Sequence, residues 1–211
     1  LGYEAQIAGV GDHYAGQAMK NVLVQQLKRR SSREVARRRA ALVEFVASYV
    51  PHLRFINGGG TGSIATTCRE AVVTEITVGS GFYAPALFDS YRDFRYLPAA
   101  GYAIEIVRQP APFLYTCHGG GYVASGAAGA DKLPQPYLPE GTELLPLEGA
   151  GEVQTPVKYA GPEQLHLGDP IFMRHAKAGE LCEHFTHLLF VRDGAVIEEA
   201  TTYRGDGACF L

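Results

Sequence analysis

The spacing of apolar residues divides the chain into an N-terminal part with helical periodicity and a C-terminal part without it. Apolar side chains recur every three or four positions over residues 14–30 and again over residues 31–49, which predicts two helices. Ser31 or Ser32 is expected to cap the second helix, because serine hydroxyls satisfy the free N–H groups of a helix start. Pro51 is expected to stop it, since proline cannot continue a helix.

Two short apolar runs after these helices predict buried strands, each followed by a glycine-rich turn. The first run covers residues 53–56, and the second covers residues 72–78, which are rich in β-branched side chains. A short helical stretch is expected between them. The order of strand, loop, helix and strand predicts α/β structure with parallel strand pairing.

From about residue 93 onward the helical periodicity fades, and short apolar segments alternate with glycine and proline clusters. Each of these segments has the length of a strand: 102–107, 113–116, 171–173 and 188–191. We therefore predict an all-β second unit with long loops. The predicted domains are residues 1–92 and residues 93–211.

Composition and charge exclude several classes of protein. The chain has 211 residues, of which 46% are hydrophobic and 19% charged, as in an ordinary globular protein. A net charge of -3 argues against binding to nucleic acid or an anionic membrane. The basic clusters at residues 28–30 and 37–39 are interpreted as solvated helix faces. With no signal-peptide pattern and four irregularly spaced cysteines, a reducing cytoplasmic setting is predicted.

A glycine-rich loop follows the first predicted strand. Residues 57–63 read Asn-Gly-Gly-Gly-Thr-Gly-Ser, and backbone N–H groups and hydroxyls in such a loop suit a phosphate. No Gly-Lys-Ser/Thr sequence follows, so it is not a P-loop. A second glycine turn at residues 79–83 follows the next strand, and the two turns together predict a phosphate held from two sides. The alternative is two tight turns without a ligand.

Two further clusters lie in the C-terminal part. Residues 174–184 are dense in metal-ligand side chains, but their spacing matches no standard zinc site, and a hydrogen-bonded structural histidine is the alternative. Residues 149–156 place Glu152 and Gln154 between glycines and a proline. This pattern predicts a rigid turn that presents two polar side chains, with a plain β-turn as the alternative.

These motifs, in this order, resemble the C-terminal portion of the D-threonine aldolase/D-serine dehydratase family. Its members are fold-type III pyridoxal-phosphate (PLP) enzymes related in fold to alanine racemase, and the match is nearest to an amino-acid deaminase/aldolase-like branch. The segments that carry the resemblance are 2–9, 58–63, 79–83, 149–156 and 168–185.

The resemblance implies α/β plus β architecture: the C-terminal part of a PLP-binding (β/α)8 barrel followed by an all-β domain. It also implies a homodimer with the active site at the subunit interface, and a D-amino acid as substrate. Tyr3 would lie near the pyridine ring of the cofactor. The residues implied to bind the cofactor phosphate are Gly59, Gly60, Thr61, Gly62, Ser63, Gly81, Phe82 and Tyr83.

The chain departs from the family pattern in its lysines. The family's Schiff-base lysine lies near the start of the barrel, and none of the five lysines here matches that position: Lys20, Lys28, Lys132, Lys158 and Lys177. We therefore expect the chain to be part of a longer enzyme and to be inactive alone.

A second departure concerns the metal. Zinc-dependent members of the family carry a histidine followed two residues later by Cys or Asp. Here His175 is followed by Lys177, whose ammonium repels a divalent cation. We therefore expect no metal, and His175 is the candidate ligand if one binds. As a hypothesis, the Lys177 ammonium supplies the positive charge that zinc supplies elsewhere.

The resemblance implies a PLP-dependent lyase acting on D-β-hydroxy-amino acids. Its reaction would be aldol cleavage of the D-threonine type or dehydration and deamination of the D-serine type. His175, Lys177 and Glu152 are the candidate catalytic residues, and Gln154 is the candidate substrate-binding residue. Two alternatives stay open: an amino-acid racemase on the same cofactor and a non-catalytic PLP-binding protein.

Overall fold

The structure is a computed structural model that describes residues 4–127 and 129–208, with only the backbone described for residues 5 and 6. The chain divides into two compact units, Leu1–Leu97 and Pro98–Leu211.

The first unit combines three helices with a short parallel strand pair. Its helices are α1 (Ala5–Ala8), α2 (Ala18–Ala47) and α3 (Ile64–Thr67), and its strands are β1 (Asn57–Gly58) and β2 (Glu75–Ile76). Asn57 lies opposite Glu75 in parallel register, so the predicted parallel pairing is confirmed. The prediction of a buried strand over residues 53–56 is wrong, because β1 begins only at Asn57 and the preceding Leu53 and Phe55 are exposed. Strand β2 occupies part of the predicted run 72–78, and the Glu75 N–H also donates to the Ile56 carbonyl.

Helix α2 is continuous, and the predicted break at Ser31 or Ser32 is wrong. The Ser32 hydroxyl donates to the Lys28 carbonyl at 2.9 Å, one turn earlier. This bond satisfies the hydroxyl inside the helix, so the serine does not have to cap a new one. The helix ends at Ala47, shortly before Pro51.

The two sides of α2 have an unusual distribution of polarity. The side packed within the unit carries Lys28, which is buried, and Arg39, whose side chain is 9% exposed. The interpretation of both basic clusters as wholly solvated is therefore wrong. The apolar residues predicted to lie on the packed stripe of the N-terminal half, such as Leu23 and Leu27, are instead exposed.

Within the described residues, no helix combines the length and the apolar character needed to cross a membrane.

Lys28 is buried because partners inside the unit compensate its charge. Its Nζ donates to the Val10 carbonyl at 2.8 Å and lies 3.4 Å from the Asp12 carboxylate. The same atom lies 4.6 Å from the centre of the Tyr91 ring, within the range of a cation–π contact. Burial lowers the pKa of Lys28, and Asp12 opposes that shift.

The second unit is built on a six-stranded antiparallel sheet. Its strands are β3 (Tyr102–Ala111), β4 (Leu114–His118), β5 (Gln135–Leu138), β6 (Glu143–Leu144), β7 (Gln154–Lys158) and β8 (Pro170–Arg174). They follow the order β5-β8-β3-β4-β7-β6, and β5 contacts β6, so the sheet is nearly closed. A separate antiparallel hairpin joins β9 (His187–Arg192) to β10 (Ala195–Thr201). The all-β prediction for this part of the chain is confirmed.

Alternation of side chains fills the inside of this sheet with apolar residues. Along β3, Tyr102, Ile104 and Ile106 are buried while the residues between them are exposed. Ile171 and Cys117 belong to the same core, and burial raises the pKa of the Cys117 thiol to about 12. The packed sheet gives fixed ends to the loops that carry the candidate residues.

Candidate functional site

The glycine loop after β1 has the local geometry that the sequence predicts. Gly59 has φ +87°, a conformation that side chains with a Cβ rarely adopt. The chain then enters a 3₁₀ turn at Thr61–Ser63 and continues into α3. The Gly60 N–H donates to the Ser63 hydroxyl at 3.1 Å, which closes the loop on itself.

One hydroxyl joins this loop to the second glycine turn, Gly79–Phe82. Thr61 Oγ1 donates to the Val78 carbonyl at 2.5 Å and accepts from the Gly81 N–H at 3.0 Å. A Cβ on Gly81 would lie 2.9 Å from the Thr61 methyl group, so the approach requires glycine. The two turns therefore meet, as their positions after neighbouring strands predict.

Gly62 lies where the loop packs against the rest of the unit. A Cβ at this position would lie 2.3 Å from the Ala8 carbonyl oxygen and 2.5 Å from the Tyr91 ring. The Tyr91 hydroxyl donates to the same carbonyl at 2.6 Å. Any larger residue at position 62 would displace these groups and the loop with them.

The charged residue that fixes the loop, Glu4, was missed by sequence reasoning. Its buried carboxylate accepts from the Gly59 N–H at 3.0 Å and from the Ser63 hydroxyl at 2.8 Å. Arg39 from α2 pairs with Glu4 and also with Glu70. The loop donors thus already stabilise one negative charge, as expected of glycine-rich anion-binding loops.

The remaining donors fit a phosphate. The N–H groups of Thr61 and Gly62 begin the 3₁₀ turn, and the first N–H groups of such a turn have no partner within it. They are therefore the backbone donors of the loop that suit an external anion, whereas those of Gly59 and Ser63 serve Glu4 and the Gly60 carbonyl. The donor set of the loop is compatible with the phosphate of PLP.

The other predicted cofactor residues have different environments. The Phe82 side chain is 77% exposed, and Tyr83 is half-buried at the end of the second turn. Tyr3 lies outside the described residues.

In the second unit, Glu152 and Gln154 follow a turn held by a neighbouring glycine loop. Thr155 Oγ1 accepts from the Gly151 N–H at 3.2 Å and donates to the Gly119 carbonyl at 2.6 Å. Glu152 is exposed at this turn. Gln154 begins β7, and its amide oxygen accepts from Arg108 at 3.4 Å.

His175 is buried, with 3% of its surface exposed. Its Nε2 lies 2.8 Å from the Ala178 carbonyl, so this nitrogen carries the proton and donates. Burial lowers the pKa of His175, which favours the neutral ring. The imidazole thereby stabilises the turn that contains Lys177, in which Ala178 has φ +51°.

Lys177 is held by a polar cluster that sequence reasoning did not find. Its Nζ lies 3.2 Å from the Ser125 hydroxyl and 3.3 Å from the Ser125 carbonyl. The Ser125 N–H donates to the Glu180 carboxylate at 3.1 Å, and the Ser125 hydroxyl donates to the same carboxylate. Among the described residues, no hydrogen bond or ion pair joins this cluster to Glu152 or Gln154.

The described residues are not arranged as a site for a divalent metal. Within residues 4–127 and 129–208, no group of three or more His, Cys, Asp or Glu side chains is arranged to hold an ion. Nε2 of His175 is engaged with a carbonyl, and the Lys177 ammonium lies in the same turn.

A sequence signal for the buried charges of the first unit does exist. Lys28 and Arg39 are eleven positions apart, about three turns of helix, and therefore lie on one face of α2. Two cations on one face, with isolated carboxylates at Glu4 and Asp12, indicate tertiary ion pairs. For Ser125 and Glu180 we find no comparable signal, because only the folded loops bring them together.

Comparison with known proteins gives a match in structure. No family model matches the chain, and no curated protein matches it in sequence. Among solved structures, the chain is similar to D-threonine aldolase from Filomicrobium marinum, with a TM-score of 0.70 and 17% identity. The match covers 86% of this chain and 50% of that chain, so the chain spans about half the length of that enzyme. The resemblance predicted from the motifs is confirmed as a D-threonine aldolase-like fold.

Proposed function

We propose that the chain is the phosphate-binding and substrate-loop portion of a PLP-dependent lyase that acts on D-β-hydroxy-amino acids. The observation that carries the proposal is the pair of glycine turns joined by Thr61 and fixed by Glu4 and Arg39. The fold, which is similar to that of D-threonine aldolase, supports it.

In this proposal the loop residues bind and orient the cofactor. The N–H groups of Thr61 and Gly62 donate to the phosphate, while Gly59, Gly60 and Ser63 keep the loop in shape. Gly81, Phe82 and Tyr83 border the phosphate from the second turn, and Tyr3 contacts the ring. Bound PLP supplies an electron sink for negative charge at the substrate Cα.

The second unit supplies the groups proposed to act on the substrate. The Lys177 ammonium, held by Ser125, stabilises negative charge on the substrate hydroxyl or carboxylate. His175 is the positioning residue that fixes the turn carrying it. Glu152 exchanges a proton with the β-hydroxyl, and Gln154 donates to the substrate.

The intact enzyme is proposed to be a homodimer, which sedimentation equilibrium tests directly.

Binding of PLP to the chain tests the cofactor part of the proposal. Equilibrium dialysis is expected to show saturable binding that inorganic phosphate inhibits, with pyridoxal bound about tenfold or more weakly than PLP. Thr61→Val should weaken PLP binding because it disconnects the two turns, and Thr61→Ser should preserve it. Absence of saturable binding to the folded chain would contradict the proposal.

Product analysis of the intact natural enzyme tests the reaction. Aldol cleavage of D-threonine releases glycine and acetaldehyde, and dehydration of D-serine ends in pyruvate and ammonia. Lys177→Met should lower kcat by at least about tenfold, and Lys177→Arg should retain part of it. Formation of the L-isomer alone would identify a racemase, and PLP binding without turnover a non-catalytic protein. Either result would overturn the lyase assignment.

A further inference from the structure

One face of helix α2 carries large apolar side chains that the first unit leaves exposed. Five of them are more than half exposed: Leu23, Leu27, Leu42, Phe45 and Tyr49. The Phe45 and Tyr49 rings contact each other, with their centroids 5.1 Å apart. The charged side that packs within the unit is a different face of the helix. Apolar side chains grouped on one exposed face are typical of a surface that binds another protein.

These residues belong to a longer stripe along α2 that has charged residues at its centre. In chain order the stripe is Leu23, Leu27, Arg30, Glu34, Arg38, Leu42, Phe45 and Tyr49. Each step along it is three or four residues, which keeps the side chains on one face of the helix. The order of long and short steps is the same from either end, so the stripe is symmetric about position 36.

A stripe with this symmetry is complementary to its own copy in the antiparallel direction. A two-fold axis at position 36 would place Leu27 against Phe45 of the second copy and Leu23 against Tyr49 of the second copy. The symmetry repeats both contacts in the other half of the interface. Each copy thereby covers the apolar residues at both ends of the other stripe.

The charges at the centre match in the same arrangement. Glu34 would face Arg38 of the second copy, and Arg38 would face Glu34 of the second copy. Both are accessible, since the Arg38 side chain is 75% exposed and that of Glu34 is 40% exposed. A parallel pair of helices would instead place each of these charges against its own kind. The charges therefore favour an antiparallel copy.

We infer that this stripe is an interface for a second copy of the chain, docked antiparallel about a two-fold axis. The contact does not depend on the proposed lyase, because none of its residues belongs to the glycine turns or to the second unit. It is also separate from the homodimer proposed above, whose interface contains the active site. The stripe is about 39 Å long and one helix wide. That size suits a reversible dimer with a dissociation constant of roughly micromolar order.

Charge reversal at the centre tests both the partner and its direction. Glu34→Arg makes both central residues cations and Arg38→Glu makes both anions, so each variant should dimerise about tenfold or more weakly than the unchanged chain. An equimolar mixture of the two variants restores opposite charges in both contacts. Its dissociation constant should return to within about threefold of the unchanged value. Sedimentation equilibrium over a series of concentrations measures these constants, and circular dichroism shows whether each variant is folded.

Two further variants separate the stripe from the rest of the helix. Arg29→Glu is the matched control, because it reverses an exposed charge of α2 outside the stripe and should leave the dissociation constant within about twofold. Phe45→Gln removes an apolar contact and should weaken the dimer, while its exposed position leaves the folding of the chain little changed.

Three results would overturn the inference. A chain that stays monomeric at every concentration would mean that something other than a second copy covers the stripe. Dimers that persist unchanged in both charge variants would place the contact elsewhere on the chain. Weakened variants that do not recover when mixed would exclude the antiparallel register. Binding of PLP is measured separately, so none of these results decides the proposed function.

Discussion

The side of α2 that packs within the first unit is charged, whereas the inside of the sheet in the second unit is apolar. Inside the second unit, the sheet packs Ile106, Ile171 and other apolar residues. In the first unit, the packed side of α2 carries Lys28 and Arg39, while Leu23 and other apolar residues face outward. Apolar burial is non-directional, whereas ion pairs require particular partners. The loop geometry of the first unit therefore depends on a few charges, and the sheet of the second depends on shape and volume.

Removing the charge of Arg39 should produce the largest loss of stability. Arg39→Met leaves the buried Glu4 carboxylate and the partly buried Glu70 carboxylate without their cation, at an expected cost of about 3–5 kcal/mol of unfolding free energy. Denaturant unfolding measures the loss. The exposed control Arg30→Met should change the free energy by less than about 0.5 kcal/mol.

Neutralising Glu4 in addition to Arg39 should restore part of the stability that Arg39→Met loses. Arg39→Met/Glu4→Gln removes the more deeply buried of the two uncompensated charges and leaves that of Glu70, while the amide oxygen of Gln can still accept from the Gly59 N–H. A double variant no more stable than Arg39→Met alone would mean that the charges of the first unit do not determine its stability.

Creating a cavity inside the sheet of the second unit should cause the next largest loss of stability. Ile171 is fully buried, and Ile171→Ala should cost about 2–5 kcal/mol through lost burial and the empty space left behind. Ile197 is 52% exposed in the hairpin, so Ile197→Ala should cost less than about 0.5 kcal/mol. Urea titration of both variants compares them, and similar losses would contradict the apolar account of the second unit.

Thr61→Val should have a smaller effect that is concentrated at the site. The substitution keeps the size of the side chain and removes both hydrogen bonds of the hydroxyl, while the Gly81 N–H and the Val78 carbonyl stay bonded to each other at 2.8 Å. The expected cost is therefore about 0.5–1.5 kcal/mol. Thermal unfolding measures the loss, and Thr61→Ser is the control that keeps the hydroxyl. An unchanged midpoint in Thr61→Val would show that the hydroxyl bridge does not stabilise the unit.

Replacing His175 should have the smallest effect, which is a change in how the stability of the second unit depends on pH. Its folded pKa is lowered from the ordinary 6.5, so the unfolded chain binds the proton more readily between the two values. Its contribution to stability is therefore complete above about pH 6.5 and declines as the pH falls below it. Unfolding at a series of pH values should show a flatter profile for His175→Gln, while a variant of exposed His118 keeps the original profile.

The sequence was sufficient where local rules decide the structure. Alternation and strand length placed β3, β4, β8 and β9, and the glycine run of residues 57–63 was correctly expected to lead into a short helix. Such features depend on neighbours in the chain, so they can be inferred from spacing alone.

The sequence was insufficient where contacts between residues far apart in the chain determine the structure. A basic residue on a helix is normally solvated, and the burial of Arg39 depends on Glu4, which lies 35 residues earlier in the chain. A serine such as Ser32 is compatible with both the start and the interior of a helix. Only the structure shows that α2 continues through this position. Lys177 was a candidate from its position, but its contact with Ser125 crosses 52 residues of loop and sheet.

The bond from Gly81 to Thr61 has a consequence for exchange of backbone hydrogens with solvent. The Gly81 N–H is shared between the Val78 carbonyl of its own turn and the Thr61 hydroxyl of the other loop. For this hydrogen to exchange with deuterium, both contacts must open, so its rate reports the coupled opening of two segments twenty residues apart. A single amide signal thus reports the separation of the two glycine turns.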